Sequence, residues 1–505
     1  MSTSFAWGGP ITFKPRTAGP VVPSTLMHRH TPPHPPPRIY NYNPFLFSGH
    51  GKADSWQPVK ATGPFGGNGA GTALQMTDGT VLVQDNAGNW YRLTPDAFGS
   101  YVNGTWSKAI PLPANYGPLY FASAVLPDAR VEIEGGEYNF FVGSETNMGA
   151  IFDPLKNRWK PVAPPSGWSQ IGDAASVVLS DGTLMIGNCC YSVQALFNSK
   201  KLTWTQTGKG KADPNSEEGW TLLPDGTVLT ADVSLPGQSE RYDPSSGSWS
   251  SAGSIPVNLV AGSEIGPQTL RPDGTVFVAG ATGHTAIYST TSHKWSAGPD
   301  FPIINSQQYD VADGPATLLP DGHVLIPASP GIYQPPSSFF EFDGKHIMNA
   351  ATPPGAVNDS SFNWRLLILP TGEVLGTDGS NDVEVYTPRG KPLRSIAPQI
   401  VSVPTTLTHG SHYTLKGRRL NGVSQDNMYG DDVQMASNYP LVRITNTSSG
   451  HVFYARTYNF SSMAVASKAV VKTTFQIPNN TEVGAATLQV VTNGITSTPV
   501  TVTIQ

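Results

Sequence analysis

The sequence predicts an all-β protein: a seven-bladed β-propeller followed by a C-terminal immunoglobulin-like (early-set) β-sandwich. Three observations predict it. A phrase made of an apolar run, an Asp-Gly-type turn and a second apolar run recurs seven times, with turns at Asp78-Gly79, Asp128-Ala129, Asp181-Gly182, Asp225-Gly226, Asp273-Gly274, Asp321-Gly322 and Thr371-Gly372. Intervals run from 44 residues (Asp181 to Asp225) to 53 (Asp128 to Asp181), the size of one propeller blade. Trp56 precedes Asp78 by the same 22 residues that separate Trp106 from Asp128, so it marks an outer strand that lacks a blade of its own. The last phrase, from Leu366 to Tyr386, lacks that strand, and the two ends of the chain then close the ring and remove its open edge. Finally, only 13% of residues are charged while Gly (52) and Pro (46) abound, which suits turn-rich β structure.

Residues 1–54 form a Pro/His-rich arm with His28, His30 and His34, unable to build a core and without a spacing that would fix a metal. Residues 55–396 form the propeller. Each phrase reads as two strands joined by a two-residue turn, in which Asp-Gly supplies the positive φ. Trp106, Trp159, Trp204, Trp249 and Trp295 lie on outer strands. Residues 397–505 change period and end in the alternating strand Pro499–Gln505, as in a sandwich.

The net charge of -5 offers no basic footprint for nucleic acid, and no run of 18 apolar residues spans a membrane. Met1–Trp7 lacks the basic and apolar regions of a signal peptide. Low charge and the Asn-X-Ser/Thr sites at Asn103, Asn358, Asn446, Asn459 and Asn479 point to an extracellular or cell-surface protein, and a monomer is expected. Cys189 and Cys190, the only cysteines, can close a strained eight-membered ring with each other, but the simpler reading is two small buried thiols.

The repeated Leu-Pro-Asp-Gly-Thr-Val phrases, the Gly135-Gly136 pair after Val131–Glu134 and the terminal sandwich resemble the galactose oxidase and glyoxal oxidase family, with its kelch-type propeller. The resemblance implies a copper site with a Cys-linked tyrosine, a Tyr-His pair and a histidine from the sandwich. Tyr120 matches the linked tyrosine. Gly69-Ala70-Gly71 stands where its cysteine should be, Phe362-Asn363-Trp364 where the Tyr-His pair should be, and Tyr458, with His451 nearby, where the last histidine should be.

Eight residues before each turn stand Ala70, Tyr120, Asp173, Glu217, Ile265, Asp313 and Asn363, with Glu218 and Glu264 one position out of register. The loops after the second strands add Asp85, Glu137, Asn188, Asp232, His284 and Asp378 on the same face. Converging carboxylates repel unless protons or a cation neutralise them. The expected metal ligands are Glu217, Glu264, Asp313 and His284, with one divalent cation, calcium before copper. The expected catalytic residues are Glu217, Asp173 and Tyr120; Asn363, Glu218, Asp313, His284, Trp220 and Trp364 would bind a glycan or small molecule at the channel mouth. Three functions stand open: a carbohydrate-binding or carbohydrate-active propeller, a divergent copper oxidase, and a non-catalytic kelch scaffold.

Overall fold

The computed structural model describes residues 53–173, 175–428 and 435–505, so the arm with His28, His30 and His34 lies outside the described residues. The chain there is built of strands paired antiparallel, apart from Thr406–Leu407 beside Val500–Ile504, and no helix is long and apolar enough to cross a membrane.

The repeated phrase folds the same way each time, around a three-residue loop instead of the expected two-residue one. The Met76 amide donates to Thr80 O at 2.7 Å and the Gly79 amide to Met76 O at 3.1 Å; the same pair of bonds recurs at Leu126, Leu179, Leu223, Arg271, Leu319 and Leu369. This is a β-turn followed by one left-handed residue, which explains the glycine: Gly79 has φ 80° and Gly372 84°, and Ala129 adopts 71° in its place. The aspartate closes the loop by accepting the amide two residues on, as Asp78 does from Thr80 (3.1 Å) and Asp225 from Thr227 (3.0 Å).

Each phrase yields a four-stranded antiparallel sheet, sometimes extended. Its first strands are, in chain order, Ala73–Gln75, Ala122–Val125, Ser176–Val178, Thr221–Leu222, Gln268–Leu270, Thr317–Leu318 and Arg365–Ile368. Second strands such as Val81–Gln84 and Leu184–Asn188 are buried throughout, because sheets cover both their faces. Arg365–Ile368 of the last sheet packs beside Ala73–Gln75 of the first. The outer strand of that last sheet is Ser55–Pro58, paired antiparallel with Glu384–Thr387 so that Trp56 lies opposite Tyr386. Trp56 packs on Phe339 (5.0 Å between centroids), Tyr386 (5.1 Å) and Trp364 (6.0 Å), and its indole N–H donates to Ala351 O at 2.8 Å.

Strands from Gln399 to Ile504 enclose a separate core of Leu407, Leu415, Val442, Ile444, Phe475, Leu488 and Val502. They sit on the face of the sheets that carries the Asp-Gly turns: the Thr457 amide donates to Thr77 O, Phe460 to Pro127 O and Met463 to Ser180 O. Part of this region enters the space between the first strands. Asn427–Met428 adds to the free edge of Gln268–Leu270, and Gln425 Nε2 donates to Val178 O at 2.8 Å. The Asp426 carboxylate accepts the Leu318 amide and the Thr317 hydroxyl, and burial raises its pKa to about 7. The C-terminal strands therefore cover the turn face.

Glu132 and Glu134 alternate along the buried strand Val131–Glu134 and so share one face, where neither is more than 1% exposed. Desolvation raises both pKa values well above the carboxylate range, and the charge of Glu134 raises Glu132 further. The folded state thus holds protons that the unfolded chain releases above about pH 4.3, so this pair favours folding at low pH and loses that contribution as pH rises. Glu134→Gln should flatten the decline of stability between pH 5 and 8 in urea titrations. Trp56→Ala should lower unfolding free energy by roughly 2–4 kcal/mol, since it removes a large half-buried ring from the joint between the two ends. Thermal denaturation measures the loss.

Candidate cation and ligand site at the channel mouth

The rim away from the turns is formed where the chain enters each first strand, and the backbone there is unusual. Tyr120, Glu217 and Asp313 all adopt left-handed φ (55°, 63° and 55°), which costs a non-glycine residue of the order of 1 kcal/mol. Such strain gathers at functional sites when the surrounding structure imposes it. Glu264 is presented differently. The turn Ala261–Glu264 closes with reciprocal backbone bonds of 3.1 and 3.0 Å, with Gly262 (φ 64°) and Ser263 (φ 72°) both left-handed at its tip. The Asp313 amide donates to Ile265 O at 3.0 Å, which holds that loop beside the one carrying Glu264.

One carboxylate oxygen from each of Glu217, Glu264 and Asp313 lies within 4.8 Å of the others, and all three residues are buried. Two oxygens at about 2.4 Å from one calcium ion are at most about 4.8 Å apart, so the spacing suits shared coordination. Tyr333 donates its hydroxyl to Asp313 Oδ2 at 2.8 Å. The Tyr333 ring meets Phe362 edge-on at 4.9 Å. Phe362 O in turn accepts from Arg365 Nη1 at 2.7 Å, and the Arg365 guanidinium lies 5.6 Å from the Tyr120 ring centre. Tyr120 also meets Tyr138 edge-on at 5.9 Å. Carboxylates thus line one part of the mouth, and aromatic rings and a guanidinium line another.

The other expected site residues divide. Asp173 is buried at the start of the third sheet, outside that carboxylate group. His284 is also outside it: its ring is half exposed and pairs with Asp300 at 2.8 Å, so the histidine expected among the metal ligands is turned to solvent. Glu218 points into the sheet packing, drawn there by Lys211 Nζ at 2.8 Å, which also binds Glu240 at 2.7 Å. Desolvation raises Glu218 to about 8 and neighbouring Asp232 to about 7, while the two glutamates raise Lys211. Trp220 is fully buried, and its indole N–H donates to Glu218 Oε2 at 3.2 Å. Trp364 is 1% exposed and donates to Ser337 Oγ. Both indoles are core residues with no face open to a sugar. Asn363 accepts the Ser360 amide at 3.0 Å and caps the short turn Ser361–Asn363. Among the loop residues, Asp85 binds the amides of Ala87 and Asn89, and Asn188 donates to Gln170 O.

Cys189 and Cys190 form a disulfide with each other instead of standing as separate thiols. Cys189 Sγ lies 3.6 Å from Glu145 Oε2. The Asn215 side chain donates to the carbonyls of Asn188 (2.9 Å) and Val193 (3.1 Å) and also to that of Tyr191. The turn bearing this disulfide and the half-exposed Tyr191 is thereby tied to the loop that delivers Glu217.

The copper ligands implied by the resemblance are not brought together among the described residues. Ala70 stands in the cysteine's place. Tyr458 binds His412 at 2.7 Å, and His451 binds Glu482 at 2.6 Å, both on the C-terminal strands. The segment of that region that enters the channel includes Gln425 and Asp426 instead. The described histidines 293, 323, 346 and 409 pair with Tyr288, Glu341, Asp343 and Thr481 O.

No family model matches the chain. A stretch of 130 residues, 25% of the chain, is 26% identical to the Kelch-like protein terF of Aspergillus terreus (strain NIH 2624 / FGSC A1156), and the match spans about a quarter of that relative (26%). Among solved structures, a fungal alcohol oxidase of the AA5 family in complex with copper aligns at TM-score 0.51 over 90% of this chain and 99% of that one, with 13% identity. Virginiamycin B lyase from Staphylococcus aureus aligns at TM-score 0.47 over 66% of this chain and 99% of that one, with 11% identity. The chain is therefore an all-β, propeller-like protein that resembles the galactose oxidase-like kelch propellers in fold.

Lys211→Met should destabilise the fold by about 3–5 kcal/mol, because it strands Glu218 and Glu240 without their buried cation. Glu218→Gln in the same chain should recover part of the loss. Equilibrium denaturation of the two variants measures both effects.

Proposed function

We propose that this chain is an extracellular carbohydrate-binding propeller whose acidic channel mouth holds one divalent cation, calcium rather than copper. In this reading the sheets are seven blades of a kelch-type propeller, closed by Ser55–Pro58, and residues 397–505 are an immunoglobulin-like sandwich covering the turn face. The observation that carries the reading is the convergence of Glu217, Glu264 and Asp313, which enter from three different sheets. Three carboxylates at this separation repel by about 1 kcal/mol per pair in water and about 4 at the effective dielectric of a protein surface. A hard cation with oxygen ligands turns that repulsion into binding.

Tyr191, 58% exposed and tied through Asn215 to the loop of Glu217, offers a ring on which a pyranose can stack. The disulfide suits an oxidising compartment. Copper fits less well, because the described mouth supplies carboxylates and phenols without imidazole or thiolate. Should the site also be catalytic, Glu217 is the acid or base, with Asp173 and Tyr120 nearest in role.

Mass spectrometric metal analysis of the purified chain should give about one calcium per molecule. The Glu217→Gln/Glu264→Gln variant should lose it, and calcium should raise the melting temperature of the wild type alone. Equal metal content in both proteins would remove the cation from this account.

A further inference from the structure

Arg365 opens the first strand of the last sheet, is 9% exposed, and lies at the channel mouth over the Tyr120 ring. Its two hydrogen bonds, 2.7 and 2.8 Å long, both leave from Nη1 and both end on carbonyls of its own neighbourhood, Phe362 O and Trp364 O. The buried Nε meets no acceptor. Among the described residues no carboxylate pairs with this guanidinium. The other buried cations among the described residues are paired: Lys211 has Glu218 and Glu240, and Arg271, with an 8% exposed side chain, has Asp273 at 2.7 Å. A guanidinium that is buried, oriented by carbonyls and left without an anion is a site prepared for one.

We propose that Arg365 anchors an anion subsite that takes the carboxylate of an acidic sugar, a hexuronate. The planar guanidinium suits a planar carboxylate, and with Nη1 committed to carbonyls and Nε buried, Nη2 is the group left to meet the ligand. The Tyr120 ring beneath the guanidinium holds it in place through cation–π contact. The subsite belongs to the same mouth as the acidic group, joined to it through Phe362, Tyr333 and Asp313. A cation on the carboxylates would keep them from repelling the ligand's charge. The identity of the ligand as a sugar rests on the function proposed above; the preference for a carboxylate rests on Arg365 alone.

The test is calorimetric titration of the whole chain, in calcium, with galacturonate, its methyl ester, galactose and acetate. The ester keeps the sugar and removes the charge, so the wild type alone discriminates. Galacturonate should bind at least about 30-fold more tightly than its ester, and Arg365→Met should abolish the difference. Arg365→Lys, which keeps the charge and loses the fork, should retain only part of it. If galactose and the ester bind as well as galacturonate, the anion subsite is overturned while sugar binding stands. If acetate and galacturonate bind equally and only through Arg365, the subsite stands and the sugar reading fails. Binding of none of the four overturns both.

Discussion

The pairing of Ser55–Pro58 with Glu384–Thr387 is the constraint on which the rest of the structure depends. A row of twisted antiparallel sheets leaves an unpaired strand edge at each end, a template for aggregation. Here the start of the chain supplies the outer strand of the last sheet, and Arg365–Ile368 comes to lie beside Ala73–Gln75. Trp56 adds packing to these backbone bonds by contacting Phe339, Tyr386 and Trp364 across two sheets. Only when the first strands are held in this way do their entry points meet on one rim, which is how Glu217, Glu264 and Asp313 become neighbours despite lying 47 to 96 residues apart in sequence.

The two faces of the ring then acquire different roles for a physical reason. Three-residue Asp-Gly loops are short and satisfy their own backbone groups, so one face is regular and can be covered. The C-terminal strands dock there: Tyr454 occupies the space that a side chain at Gly79 would need. The entry loops on the other face are irregular and left-handed at Tyr120, Glu217 and Asp313. The segment carrying Gln425 and Asp426 lies between the first strands and binds three of them.

Much of this was legible in the sequence because it is periodic. The recurrent phrase locates every hairpin, and the interval from Trp56 to Asp78 names the strand that pairs with the end of the ring. Counting back from each turn also finds Glu217 and Asp313, and the one-residue offset finds Glu264. The same count misreads Glu218, because neighbouring strand residues face opposite ways and Lys211 draws this one inward. It misreads Trp220 and Trp364 because register fixes height along the axis and leaves open which side of a sheet a ring packs on. The two-residue turn was misjudged because Asp-Gly serves either loop length, and the backbone bonds decide between them. Arg365 carries no repeat signal; its meaning comes only from burial and missing partners. The disulfide likewise needs the turn geometry, since adjacent cysteines read equally as thiols.

The central claim is that the acidic group at the mouth is a cation site. A crystal structure of the whole chain grown in calcium, with a second crystal soaked in manganese and measured for anomalous scattering, tests it directly. The account predicts one peak bounded by Glu217, Glu264 and Asp313, about 2.3–2.6 Å from a carboxylate oxygen of each in the calcium form. Carboxylates at the same separation with no peak between them would contradict it.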